Sequence, residues 1–129
     1  MTFMEEIIRR YLRVFVTRDL AELAEVVAED VLVHGYGGHV RGRHMVEGAV
    51  NAVGLTCTDI EIHELFAAGD RVVVYFTQHL RHDATGRDVS QSRLKMYLLA
   101  GGRIVEFWGE MNLYGLMIQL GKVPAEIVF

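Results

Sequence analysis

The sequence predicts an α+β domain, and three observations carry that prediction. Apolar residues three and four apart run through the first part of the chain. Alternation with period two runs from Asp59 to Met111, and glycine-containing breaks divide that second region into strands placed to pair as successive hairpins. Helices first and a meander of strands afterwards argue for helices covering one face of a curved, largely antiparallel sheet.

The elements follow in order. From Phe3 to Val16 the residues Phe3, Met4, Ile7, Ile8, Tyr11, Leu12, Val14 and Phe15 keep helical spacing, with Glu and Arg between them. Asp19 is placed to cap a second helix, with Glu22 three residues on to close a capping box, and that helix is expected to end near Glu29. Val31 to Tyr36 reads as a strand, broken by Gly35-Tyr36-Gly37-Gly38, and a third helix is expected over about Arg43 to Val53. Four strands then follow, over about Asp59 to Ala67, Arg71 to Arg81, Val89 to Ala100 and Arg103 to Met111. Gly69-Asp70, Asp83 to Gly86 and Gly101-Gly102 join them. No repeat, linker or low-complexity tract interrupts the 129 residues, which read as a single domain.

Composition narrows the function. Residues of the AVILMFWYC set make up 51%, which excludes disorder, and the net charge of −4 comes without a basic block able to track phosphates, so nucleic acid is not an expected partner. Cys57 stands alone, so no disulfide framework or cysteine-based zinc site is expected. The first twenty residues carry charges through their apolar positions, and no uncharged apolar stretch reaches about 18 residues. The expectation is a cytoplasmic chain with no membrane partner. Six histidines include His34, His39 and His44 five apart, but that spacing shares no helix face and straddles a glycine loop, so no metal site is expected. Gly35-Tyr36-Gly37-Gly38 has the pattern of neither a dinucleotide loop nor a phosphate loop and reads as a turn.

Strand phase decides which side chains meet a ligand. Alternation sends Val72, Val74, Phe76, Gln78 and Leu80 to the core, and in the next strand it is read as sending Leu94, Met96 and Leu98 inward with Arg93, Lys95 and Tyr97 outward. The outward set, with Val73, Tyr75 and Thr77, is too apolar for an ordinary wet surface, and a sheet-to-sheet homodimer is expected to cover it. In the last strand Ile104, Glu106, Trp108, Glu110 and Asn112 share a face whose direction the pattern leaves open.

The segment Gly102-Arg103-Ile104-Val105-Glu106-Phe107-Trp108, followed by Asn112-Leu113-Tyr114-Gly115, resembles the SnoaL-like polyketide cyclase group of the nuclear transport factor 2-like superfamily. Tyr11 in the opening helix, Asp19-Leu20-Ala21, Asp30-Val31-Leu32-Val33-His34, Gly42 and Gly69-Asp70-Arg71-Val72 carry the same likeness. The resemblance implies a cone-shaped fold whose sheet encloses an apolar pocket, and it implies that Trp108, Glu110 and Asn112 line that pocket. Glu110 matches one family position for a cavity carboxylate. Asn112 stands where many similar cyclases carry Asp, and an amide hydrogen-bonds but does not exchange protons. His34 falls where similar epoxide hydrolases hold a water-positioning Asn, while Phe76 and Gln78 replace those enzymes' Arg and Asp, which argues against epoxide hydrolysis.

The candidate site is therefore His34, Tyr36, Gln78, Glu110 and Asn112, set among Phe76, Met96, Trp108 and Tyr11. Glu110 and His34 are the expected acid–base pair, and Asn112, Gln78 or Tyr36 would steady an enolate oxygen. Beside this stand the plainer readings of Glu110 as a surface carboxylate, His34 as a structural histidine, Tyr36 as a loop residue and Trp108 as core packing. The function expected is cofactor-independent cyclisation or isomerisation of a hydrophobic, oxygenated, polyketide-like small molecule. The alternatives are a non-catalytic binding or dimerisation module of the same fold, and a ketosteroid-isomerase-like isomerase or dehydratase.

Overall fold

A computed structural model describes residues 2–35 and 38–126. Helix α1 (Phe3–Thr17) and helix α2 (Leu20–Val26) lead into strands β1 (Val27–Gly35) and β2 (Gly38–Arg41), helix α3 (His44–Val50), strands β3 (Leu55–Ala68), β4 (Arg71–His82), β5 (Arg87–Ala100) and β6 (Arg103–Met111), and helix α4 (Leu113–Gln119). The α+β class and the four long strands stand as expected.

Helix α1 begins where the Thr2 side chain accepts a hydrogen bond from the Glu5 amide, and it ends at Arg18, which takes the left-handed conformation at φ 60°. Its inner face, Ile7, Ile8, Tyr11, Leu12 and Val14, is buried in the core. Asp19 caps α2 by accepting from the amides of Ala21 and Glu22. Glu22 does not close the expected capping box, because Arg10 on α1 takes its carboxylate at 2.6 Å and also reaches Glu25. That pairing holds the Glu22 carboxyl below its ordinary range.

Helix α2 stops three residues earlier than expected. Val26 and Val27 are both fully buried, and Val27 takes extended geometry to pair with Ile104 of β6, so pairing overrides the helical pattern. Two further elements escaped the sequence pattern: β2, which folds back on β1, and α4, started by Asn112.

The six strands form one sheet in the order β2-β1-β6-β5-β4-β3, antiparallel except for the parallel pair β1 and β6. The turn between β5 and β6 is two glycines, Gly101 at φ 60° and Gly102 at φ 78°, the geometry of a tight turn that L side chains resist at both positions. Register shifts in β3 and β6 bend the sheet around α1. Tyr11 lies at the centre, with its ring 5.4 Å from Tyr97 and 5.5 Å from Phe15. Each fully buried Ile, Leu or Val in this layer contributes about 1.5–3 kcal/mol relative to exposure.

The expected phase holds in β4, where Val72, Val74, Phe76, Gln78 and Leu80 are buried. In β5 it is reversed. The turn at Asp83–Gly86 sets His82 opposite Arg87, so Val72 faces Tyr97, Val74 faces Lys95, Phe76 faces Arg93 and Gln78 faces Gln91. Arg93, Lys95 and Tyr97 therefore share the inner face, and Leu94, Met96 and Leu98 share the outer one. Of these, Lys95 reaches the Phe107 ring with its nitrogen and Arg93 hydrogen-bonds Gln91, contacts that hydrophobicity alternation does not register.

Candidate functional site

The register that reverses β5 carries β6 with it. Trp108 pairs with Met96 and Glu110 with Leu94, so Met96, Trp108 and Glu110 lie on the outer face, and Glu110 is exposed. The expectation that Met96, Trp108 and Glu110 line an inner pocket is corrected by this register: alternation leaves Phe107 and Met111 as the inward side chains. Asn112 is occupied as the N-cap of α4, accepting from the Gly115 amide at 2.9 Å, and it too lies apart from the inner cleft. Tyr36 lies outside the described residues.

His34 and Trp108 do come together, but on the outer face. Parallel pairing sets them side by side, with their rings stacked at 5.0 Å and 9°. His34 Nε2 is 2.6 Å from a Glu106 carboxylate oxygen, and its Nδ1 meets Nδ1 of His39. The carboxylate that meets His34 is Glu106 rather than Glu110. On the other side of Trp108, the Arg71 guanidinium sits 5.1 Å from the ring centroid.

Three of the expected residues, Tyr11, Phe76 and Gln78, do share one cleft on the inner face, between α1 and the sheet. Phe15 and Ile60 add apolar wall, and Arg93 and Lys95 stand among them. The free volume is only ≈ 10 Å³, so a ligand must part α1 from the strands to enter. Among the described residues no carboxylate lines this cleft. Its polar groups form a chain: Arg93 donates to Gln91 at 3.2 Å, and Gln91 reaches the Met111 sulfur at 3.0 Å. Arg93 Nε is buried and has no hydrogen-bond partner among the described residues, an arrangement that costs free energy unless a ligand atom answers it.

Lys95 is the residue that sequence reasoning placed on the wrong side. Its ammonium lies 5.0 Å over the Phe107 ring, and Gly109 lies directly across from it on β6. A Cβ at Gly109 would approach the Lys95 stem to 3.0–3.3 Å, so the missing side chain makes the slot through which the stem runs. Burial, reinforced by the positive charge of Arg93, lowers the Lys95 amine to about 7. Burial also raises the Tyr97 phenol well above its ordinary range. Near the far end of the cleft, burial raises the Cys57 thiol as well. The signal for Lys95 was in the sequence, because the four-residue turn at Asp83–Gly86 joined to the correctly read phase of β4 puts the odd-numbered residues of β5 inside.

A second concavity of ≈ 620 Å³ runs along α1, bounded by α2 and β3 and lined by Glu6, Arg9, Arg13, Asp19 and Asp59 together with the apolar Leu12, Val14, Ile60 and Ile62. Its charges are mixed in sign, and Arg10 and Glu22 on its wall pair with each other. Among the described residues no group of three or more His, Cys, Asp or Glu is gathered as a metal site would need, and no helix is long and apolar enough to cross a membrane.

Comparison with known proteins gives a consistent assignment. A family model described as a SnoaL-like domain matches residues 8–107. No curated protein matches the chain. Among solved structures, IdmH of Streptomyces antibioticus, a candidate polyketide cyclase, superposes with a TM-score of 0.76 at 24% identity, over 92% of this chain and 98% of its own. An epoxide hydrolase of M. tuberculosis gives 0.77 at 15%, over 93% and 90%. A protein of Catenulispora acidiphila with a ketosteroid isomerase-like fold, bound to trimethylamine, gives 0.77 at 17%, over 95% and 97%. At these identities the likeness is one of fold.

Proposed function

Because the chain belongs to the SnoaL-like domain family, we propose that it is a small-molecule enzyme that works without a cofactor and cyclises or isomerises a hydrophobic, oxygenated, polyketide-like substrate in the cleft between α1 and the sheet. The observation that supports this reading is the composition of the cleft. Gln78, Arg93 and Lys95 stand together on an inner face otherwise built of Tyr11, Phe15, Ile60 and Phe76. A few polar groups in an apolar cup is the usual build of a small-molecule site.

The chemistry follows from the charges. Two cationic side chains without a carboxylate favour a ligand oxygen that carries or develops negative charge. In a dry site such donors are worth far more than in water. Gln78 and Arg93 would hold the oxygen of a carbonyl as it becomes an enolate, which acidifies the neighbouring C–H, while the Lys95 amine stands beside the reacting carbon. The aromatic wall supplies affinity for a ring or a folded chain.

The test is a thermal-shift screen of wild type and Gln78→Leu against polycyclic aromatic ketones, steroids and lactones, with mass spectrometry for turnover. A ligand at a hundredfold excess over its dissociation constant stabilises the fold by about 2.7 kcal/mol. Saturable stabilisation with turnover, both weakened in Gln78→Leu, is the expected result. Binding without turnover across the panel would favour the non-catalytic module.

A further inference from the structure

We propose that Lys95 is a nucleophile: its amine attacks a carbonyl carbon of the ligand and holds it as an imine in the inner cleft. This deepens the reading above and rests on it for the location of the site.

The geometry comes first. Lys95 projects from β5 into the cleft, its stem occupies the slot left by Gly109, and its nitrogen ends over the Phe107 ring rather than against a carboxylate. The groups facing it are Arg93 on its own strand, Tyr11 on α1, and Phe107 and Gly109 on β6. None is an anion that would hold the amine as ammonium. A lysine kept for charge alone has a counter-ion. This one has an aromatic face and a neighbouring cation, the setting that frees an amine for attack.

Residue choice across the chain points the same way. The protein has eleven arginines and two lysines, Lys95 and Lys122. Eleven of the thirteen basic side chains carry the permanent charge of arginine, including Arg93 one inward position away. At the slot opposite Gly109 stands the basic side chain that can lose its proton. Burial and Arg93 bring that amine to about 7, so close to half of it is neutral at neutral pH.

The step balances without an added oxidant or reductant. The Lys95 lone pair forms the C–N bond while the carbonyl π pair moves to oxygen, which takes up a proton to give a carbinolamine. Loss of that oxygen as water, with the nitrogen's proton, leaves C=N, and protonation gives an iminium. The iminium withdraws electrons from the adjacent C–H more strongly than a ketone does, so that proton passes to water, the C–H pair moves into C=C as the C=N pair returns to nitrogen, and the resulting enamine serves as the carbon nucleophile for ring closure or double-bond migration. Water then releases the product and restores the amine.

The experiment is reductive trapping. Wild-type protein is incubated at pH 7 with 2-naphthaldehyde and cyanoborohydride, and the added mass is mapped by peptide sequencing. Parallel samples carry 2-naphthol, which has the ring and an oxygen but no carbonyl. Labelling of Lys95 at least tenfold above Lys122, suppressed by 2-naphthol and absent in Lys95→Arg, is the expected result. Label confined to Lys122 and the α-amino group overturns the proposal. If 2-naphthol raises the melting temperature while Lys95 stays unlabelled, the cleft reading stands and the imine falls. If Lys95 is labelled but 2-naphthol neither binds nor protects, the imine stands and the reading of the cleft as an aromatic-ligand site falls. Should Lys95→Arg fail to fold, Gly109→Ala, which crowds the stem from the opposite strand, is expected to lower Lys95 labelling severalfold; unchanged labelling there overturns the slot as its cause.

Discussion

His34 and Glu106 face each other at 2.6 Å across the parallel pair β1 and β6, at side-chain exposures of 17% and 26%. Residues 72 apart in sequence thus share a contact that also fixes the plane on which Trp108 stacks. A double-mutant cycle of His34→Ala and Glu106→Gln should give a coupling of about 1 kcal/mol by denaturant unfolding. A coupling near zero would mean that the ion pair adds nothing to the backbone pairing of the two strands.

Lys95 makes the stability of the fold depend on pH. Its amine is near 7 when folded and ordinarily 10.5, so between those values the unfolded chain binds a proton that the folded chain releases. Stability therefore rises with pH across that window, and below about pH 7 the whole cost of burying the ammonium is felt. Lys95→Met should lose the rise, a difference of about 2 kcal/mol between pH 7 and about pH 9.5 once the water reaching the part-exposed side chain is allowed for. Cys57 and Tyr97, which act in the opposite sense at the alkaline end, are common to both proteins. Parallel slopes in the two proteins would show that the amine is not desolvated.

Gly109→Ala should destabilise wild type by about 1 kcal/mol, since the new Cβ meets the Lys95 stem at 3.0–3.3 Å. In a Lys95→Ala background the same change should be neutral or stabilising, because a strand interior favours alanine over glycine. Equal costs in both backgrounds would place the clash elsewhere.

How much of this was legible in the sequence depends on which signal decided each residue. The core face of β4 was readable because five alternate positions are apolar or amide, while the other face carries Arg71, Thr77, His79 and Arg81 beside Val73 and Tyr75. In β5 the inward residues Arg93 and Lys95 look more polar than the outward Leu94, Met96 and Leu98, so binary alternation pointed the wrong way, and only the cross-strand register corrects it. The direction of β6, which the pattern left open and the family resemblance turned inward at Trp108 and Glu110, is set the other way by Trp108 opposite Met96 and Glu110 opposite Leu94. Glu106 was missed because its meeting with His34 depends on a parallel pairing that short-range pattern does not encode.

The outer face offers a test of association. Tyr75 and Leu94 are 43% and 52% exposed beside Val73, Met96, Leu98 and Trp108, and a second copy of the chain is the proposed cover. Leu94→Lys sets a lysine opposite Glu110, a favourable pair in the isolated chain, yet it puts a charge at the centre of the proposed contact. Sedimentation at several concentrations should show the dimer dissociation constant of the wild type raised at least a hundredfold in Leu94→Lys, with an unchanged melting temperature at low concentration. Identical sedimentation of the two proteins would rule out this face as the contact.

Asn112 should behave as a cap. Asn112→Ala is expected to cost about 1 kcal/mol by loss of its bond to the Gly115 amide, while Asn112→Asp, which keeps the acceptor, should recover most of it. A loss of turnover at unchanged stability would instead give Asn112 a part in the chemistry.

The parallel pair of β1 with β6 also bears on the birth of the chain. The segment Val27–Gly35 leaves the ribosome early, but its inner neighbour in the sheet is the last strand made. At about 5–20 residues per second, roughly 70 residues of further synthesis separate them, a wait of some seconds. During that interval the hairpins β3 to β5 can form among themselves, while the apolar side of β1 has only α2 and the short β2 to shelter it. Strand β1 therefore waits for its partner as an unfinished edge, and chaperone contacts should concentrate on residues 26–33 until Ile104 to Trp108 have emerged.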